Sequence, residues 1–268
     1  MTLSEQVVAR ATQLANATDV VILDIERMKG SASIEFWDLS DFKNRRIHAD
    51  DVTEWPRTIC AAWNWYDKTR VDFAAEWDLG HEGMLRQLWD VYDQAQIVVG
   101  HNIAGFDTKK LRSEWRDLGL PPPSPVKQVD TLRIARREFG DESRTLDALC
   151  RRLGLVAKTD RYDVEVARQA LAGHKPSQRR IRAYNIGDIA ASKGIYDAIR
   201  PWDASHPHSL YPPADDRPHC RSCWRDNLEP NGYKLADQIL YRLFRCTDCG
   251  ANVQGTRHAR AGVTRGAR

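Results

Sequence analysis

The stretch Val20-Val-Ile-Leu-Asp-Ile-Glu26 decides how this chain folds. Four aliphatic residues in unbroken succession, three of them β-branched, mark a strand buried on both faces. Two acids follow at its end with one residue between them. Alternation along a strand then puts Asp24 and Glu26 on the same face. Carboxylates in apolar surroundings are costly unless they are protonated, paired or bound to a metal. The plainer alternative is that both charges emerge where the strand meets solvent.

Outward from this strand, Met28-Lys-Gly-Ser31 reads as a turn and Ser33-Ile-Glu-Phe-Trp37 as a strand returning beside the first. A third strand is expected at Thr58–Trp65. A helix at Glu82–Gln94 would carry Leu85, Leu88, Trp89 and Tyr92 on one face, and Ile97-Val-Val-Gly100 is a short buried strand. The loop His101-Asn-Ile-Ala-Gly105 leads into a helix from Phe106 to Leu118, which the proline-rich segment Pro121-Pro-Pro-Ser-Pro125 closes. Helices are expected at Thr131–Phe139, Thr145–Leu153, Tyr162–Leu171 and Ser177–Ile199, and Leu3–Ala17 has the spacing of an amphipathic lead-in. Antiparallel strands followed by alternating strands and helices define an α/β domain with a mixed sheet.

Composition narrows the class. Hydrophobic residues make up 42% of the 268, with 9 Trp, 8 Tyr and 6 Phe, which is enough to fill a core and excludes wholesale disorder. No run approaches the roughly 20 apolar residues of a membrane helix. Met1-Thr-Leu-Ser-Glu-Gln lacks the basic start and apolar middle of a secretory signal, so a cytoplasmic setting without membrane contact is expected. Basic and acidic residues nearly balance at 40 and 37, but from His206 to Arg268 there are 10 basic against 6 acidic. A basic end fits a polyanionic partner such as nucleic acid, and equally a solubilising tail.

Cys60 and Cys150 stand alone in apolar settings and read as core thiols. The remaining four form two pairs, Cys220-Arg-Ser-Cys223 and Cys246-Thr-Asp-Cys249-Gly250. Each pair presents two thiolates on one side of a turn, and two such turns complete a tetrahedron around one Zn²⁺. Twin redox motifs or two disulfides are the competing reading. The proline- and histidine-rich stretch before them divides the chain: a domain at 1–203, a linker at 204–217, a zinc ribbon at 218–256 and a basic, disordered tail at 257–268.

Two further motifs carry acids. Asp107 follows Gly100-His-Asn102-Ile-Ala-Gly-Phe106 at a helix start, where free N–H groups favour a negative charge. Tyr184-Asn-Ile-Gly-Asp188 places a phenol and a carboxylate one turn apart on a late helix. Singly, each has a bland explanation, a helix-start acid and a surface pair. Jointly, four acids from a strand, a loop-to-helix junction and a helix cannot share a pocket without cations. Hard ions such as Mg²⁺ or Mn²⁺ suit them, and a pair about 3.5–4 Å apart is the clamp for attack on a phosphodiester.

In this order the motifs resemble the DEDD superfamily of DnaQ-like, ribonuclease-H-like 3′–5′ exonucleases. Asp24-Ile-Glu26 looks like the first motif, Asn102-x-x-x-Phe106-Asp107 the second and Tyr184-x-x-x-Asp188 the third. The sister subgroup carries His five residues before the last acid; here that position is Ala183, and Tyr184 points to the tyrosine subgroup, DEDDy. The second motif is closest to exonuclease domains of family-B-type polymerases and to standalone phage or bacterial relatives. The resemblance spans about Asp19 to Trp202.

The resemblance implies a ribonuclease-H-like mixed sheet flanked by helices and removal of nucleotides from a single-stranded DNA 3′ end as 5′-monophosphates. It implies two Mg²⁺ or Mn²⁺ ions held by Asp24, Glu26, Asp107 and Asp188, with Asp24 bridging them. Tyr184 would orient the attacking water, since a phenol with a pKa near 10 is a poor base. Asn102 and Phe106 would hold the terminal nucleotide, although core packing is an equal reading of Phe106. The partners implied are DNA and, as a separate subunit in replication, repair or proofreading, a DNA polymerase or replisome protein. The rivals are an exoribonuclease of the same fold, a related internal-cutting nuclease and a non-catalytic nucleic-acid-binding adaptor.

Overall fold

The computed structural model describes residues 19–36, 38, 47–155, 162–207, 217–236 and 239–258. The expected lead-in helix at 3–17 lies outside them. Five strands, β1 (Val20–Met28), β4 (Arg57–Trp65), β5 (Asp72–Ala75), β6 (Ile97–Gly100) and β7 (Lys127–Asp130), form one sheet in the order β5-β4-β1-β6-β7. β5, β4 and β1 run antiparallel; β6 and β7 join parallel to β1. The flanking helices are α1 (Glu76–Gln94), α2 (Asp107–Asp117), α3 (Thr131–Glu138), α4 (Leu146–Arg152), α5 (Val164–Leu171) and α6 (Lys175–Ile199). This is the mixed, helix-flanked sheet of the ribonuclease-H-like class.

The two-residue period of β1 separates two cores. Val21, Leu23 and Ile25 pack with Met84, Leu85, Leu88 and Tyr92 of α1 and with Leu111 and Trp115 of α2. Val20 and Ile22 point the other way, against Ile134 of α3, Leu149 of α4 and Ile189 and Ile195 of α6. Each wholly buried aliphatic side chain of this kind contributes about 1.5–3 kcal/mol. Asp24 and Glu26 therefore continue the face that α6 covers. Cys150 is a buried thiol of the second core, and Cys60 one of a third cluster with Met28, Ile59 and Ile181, as their apolar settings imply.

The strand beside β1 is not Ser33–Trp37. Residues 33–36 form no strand, and Phe36 is 46% exposed. The place is taken by β4, which buries every residue from Thr58 to Asn64 and so outcompetes a segment of five residues. Among the described residues, the chain between them makes a short ladder of β2 (Ser31–Ala32) with β3 (Val52–Glu54). The first helix starts six residues earlier than expected and bends at Gly80, whose φ of 71° suits glycine. Tyr162, expected to open a helix, precedes α5 instead, and Asp163 caps it by accepting from Glu165 and Val166 N–H.

β8 (Leu228–Ala236), β9 (Ile239–Cys246) and β10 (Asn252–His258) form a three-stranded antiparallel sheet over the four paired cysteines. β10 runs past residue 256 into the segment expected as tail; 259–268 lie outside the described residues, as do 208–216 of the expected linker. His206, at the start of that linker stretch, is only 1% exposed. Its Nε2 lies 2.9 Å from the Tyr196 hydroxyl of α6, and its Nδ1 lies 3.1 Å from the Arg221 carbonyl in the first cysteine turn. No helix among the described residues is long and apolar enough to cross a membrane.

Burial lowers the His206 imidazole to about 4, against the nearby Asp203 charge, which raises it. An unfolded His titrates near 6.5, so the unfolded chain binds the extra proton between pH 6.5 and 4. Stability from this group is complete above pH 6.5 and declines as the pH falls toward 4. The stability gap between wild type and His206→Gln should thus be about 1 kcal/mol smaller at pH 5.5 than at pH 7.5, as read from urea midpoints. A gap unchanged with pH would show that His206 does not titrate as its burial requires.

Candidate active site and thiolate cluster

Asp24, Glu26 and Asp188 come together: a carboxylate oxygen of each lies within 4.8 Å of the others. The first two share one face of β1, and Asp188 is buried on α6 where that helix crosses the same face. Three carboxylates this close repel one another unless a cation or protons intervene. An all-oxygen donor set of one sign suits a hard divalent ion. The residues present fit Mg²⁺ or Mn²⁺.

Asn185, which the sequence reading passed over, is the group that orients this cluster. It is fully buried three residues before Asp188, and its Nδ2 donates to Asp24 Oδ2 at 2.7 Å and to the Asp24 carbonyl at 3.4 Å. The Asp24 carboxylate is thereby held in one orientation. Tyr184 is half-buried one turn from Asp188. Its ring lies 6.4 Å from that of Tyr162, whose hydroxyl donates to the Arg27 carbonyl at 2.8 Å. Burial, with the charge of Glu26 nearby, pushes the Tyr162 phenol well up, so it stays protonated.

Asp107 lies beside the cluster without belonging to the group of three. β6 pairs with β1 only from Val20 to Ile22 and ends at Gly100, which leaves the Ile25 N–H facing outward. Asp107 Oδ1, at the first position of α2, accepts that N–H at 3.3 Å. Gly100 permits the approach: a Cβ there would stand 2.9 Å from the Leu23 carbonyl oxygen and from Ile103 Cβ. Burial raises the Asp107 carboxyl to about 7, against the hydrogen bonds from its own N–H and from Ile25, while the charge of Asp130 raises it further.

A second tie holds α2 in place. Glu114 Oε1 accepts from Arg27 Nη2 at 2.9 Å and from the Thr58 N–H at 3.0 Å, and Arg27 also donates to the Pro56 carbonyl at 2.7 Å. These contacts sit at a bulge where Glu26 pairs with Cys60 but Arg27 pairs with Thr58, skipping Ile59. A bulge re-aims the side chains beside it, here Glu26.

Asn102 and Phe106 lie in the turn before α2. Asn102 adopts φ 68°, a left-handed conformation that asparagine tolerates, and its N–H donates to Asp130 Oδ1 at 3.0 Å. Phe106 is 39% exposed, and Lys110 Nζ stands 6.0 Å from its ring centre. Asp130, also unforeseen, receives the N–H groups of Asn102, Ala104, Leu132 and Arg133, tying the turn to α3. Its place before a helical run was the available signal, an N-cap acid. His101 is held between Thr131 Oγ1 and the Arg144 carbonyl, a structural loop histidine.

In the thiolate cluster, Cys220 Sγ lies 3.6 Å from Cys249 Sγ and Cys223 Sγ lies 3.5 Å from Cys246 Sγ. Those separations are far too long for disulfides, at about 2.05 Å. They sit near the roughly 3.8 Å edge of a tetrahedron with metal–sulfur bonds of about 2.3 Å. The two turns share one backbone design. Trp224 N–H donates to the Cys220 carbonyl at 2.8 Å and Gly250 N–H to the Cys246 carbonyl at 2.9 Å, with φ of 70° and 76° at the donors. The four cysteines fit Zn²⁺.

No family model matches the sequence. Among curated proteins of Arabidopsis thaliana, Protein NEN3 is 38% identical over 52 residues, 19% of this chain and 10% of its own length. Protein NEN1 is 33% identical over 75 residues, 26% of this chain and 16% of its own. The chain thus spans less than a fifth of the length of these relatives. Among solved structures, the family B DNA polymerase of the hyperthermophilic archaeon Pyrobaculum calidifontis superposes with a TM-score of 0.51 at 16% identity. The match covers 69% of this chain and 25% of the polymerase. The class of fold is therefore ribonuclease-H-like, shared with a portion of that polymerase.

Two measurements check the metal sites. Asn185→Ala should weaken Mn²⁺ binding by about 10–100-fold in calorimetry, the usual cost of losing a group that orients a metal ligand. An unaltered Mn²⁺ affinity would remove Asn185 from the site. Atomic absorption should find one zinc per chain, and Cys223→Ser should lose it.

Proposed function

We propose that this chain is a metal-dependent 3′–5′ exonuclease of the tyrosine subgroup that shortens single-stranded DNA ends and releases 5′-mononucleotides. The observation that supports it most is the meeting of Asp24, Glu26 and Asp188 on a ribonuclease-H-like sheet, with Tyr184 one turn before Asp188. Asp24, Glu26 and Asp188 would hold one divalent ion, and Asp107 beside them would serve a second. Bound there, Mg²⁺ or Mn²⁺ supplies charge neutralisation at the phosphodiester and a more acidic water.

The chain's own groups do the positioning. Asn185 holds the Asp24 carboxylate, so this ligand is oriented before substrate arrives. Tyr184 hydrogen-bonds and orients the attacking water. Phe106, exposed at the start of α2, offers its ring to the terminal base, and Lys110 stands beside that ring for the adjoining phosphate. Asn102 shapes the turn that presents Phe106 and can reach the same nucleotide.

A 5′-labelled single strand incubated with Mg²⁺ or Mn²⁺ should shorten stepwise from its 3′ end. Asp24→Asn and Asp188→Asn should abolish this, because each removes one ligand charge while keeping shape. Tyr184→Phe should lower the rate by up to about 10²-fold, since only the orienting hydroxyl is lost. Faster shortening of RNA than of DNA would assign the enzyme to RNA ends. Wild-type turnover in Asp24→Asn would sink the site assignment.

A further inference from the structure

The thiolate core covers only one end of a face of the three-stranded sheet. Cross-strand partners share a face, and the register pairs Tyr233 with Arg242 and Leu235 with Leu240. Tyr233 and Leu235, two residues apart, therefore stand side by side, 57% and 68% exposed, with exposed Arg242 across from the ring. Further along the same face, Phe244 and Val253 turn in against the cysteines, so the patch begins where the core stops.

Charge separates this patch from an ordinary apolar spot. Arg217 and Arg225 are tied to Asp226 and Asp248. Lys234, Arg242 and Arg245, by contrast, make no ion pair among the described residues. An exposed ring, an aliphatic neighbour and an unpaired guanidinium on one strand pair match a base, a sugar and a phosphate. A folded protein partner needs about 800 Å² per side, far more than two side chains offer. The excess of basic over acidic residues from His206 onward is compatible with a polyanion.

We propose that this face docks single-stranded nucleic acid, with Tyr233 as the stacking platform and Arg242 as the phosphate contact. It is a second nucleic-acid site, built from none of the carboxylate residues. Through His206, which bridges Arg221 and Tyr196, it is joined to the helix that carries Asp188. The proposal draws on the nuclease reading for the nature of the ligand, and binding is measurable without hydrolysis.

The zinc-loaded full chain is titrated, without added divalent ions, against fluorescent DNA and RNA single strands of about 20 nucleotides. Tyr233→Ala should weaken binding between about 5-fold and 150-fold, the range for loss of one stacked base. Arg242→Ala should flatten the slope of log K against log salt by about 0.7, and Arg242→Lys should restore it. Zinc content reports that each variant keeps its fold. Unchanged affinity and slope in Tyr233→Ala/Arg242→Ala, with normal zinc, would overturn the proposal. So would a change in sedimentation alone, which would make the face a contact between copies. Hydrolysis of a p-nitrophenyl nucleotide ester should survive in both variants. If no form of the chain cleaves the ester yet the variants lose binding, the docking face stands and the nuclease reading falls.

Discussion

The two-residue period of β1 is the constraint from which the rest follows. Odd positions fill the core under α1 and α2; even positions fill the core under α3, α4 and α6. The acids occupy even positions, so they inherit α6 as their neighbour and meet Asp188. A slip of one residue would drive both carboxylates into the α1 core, at a cost of several kcal/mol per buried charge. Register and site chemistry are one specification.

The parallel side of the sheet contributes by stopping early. Because β6 ends at Gly100, one N–H of β1 is left for a side chain, and Asp107 takes it. A buried carboxylate ordinarily has no reason to stay charged. Here two backbone donors work against burial, and the result is a group balanced near neutrality. The thiolate cluster follows another logic: a small sheet with four core side chains, two of them cysteines, has too little apolar area to stand without a metal.

What the sequence revealed was what is local. The aliphatic run of β1, the paired cysteines and the late helix with Tyr184 and Asp188 are patterns within a few residues. β5 and β7 were invisible because Asp-Phe-Ala-Ala and Lys-Gln-Val-Asp are too short and mixed to show a period; they are strands only because β4 and β6 offer edges. The same competition removed the strand expected at Ser33–Trp37. Asn185 was overlooked for a related reason: its meaning depends on Asp24, 161 residues away. The four acids stood out only jointly, by their order along the chain, whereas the separation of Asp107 from the other three required the end of β6 to be seen.

The double attachment of α2 bears on which length changes the family of such chains can accept. Asp107 grips Ile25, and Glu114, seven residues later, grips Arg27 and Thr58. One residue inserted between them would rotate Glu114 by about 100° and shift it about 1.5 Å along the axis. Arg27 would then lose its carboxylate partner beside the bulge. Whole turns fail too, because the grips are spaced by the fixed rise of β1. Length variation is therefore expected in the turns outside this helix and barred within it, so α2 acts as a ruler laid along the strand that carries the acids.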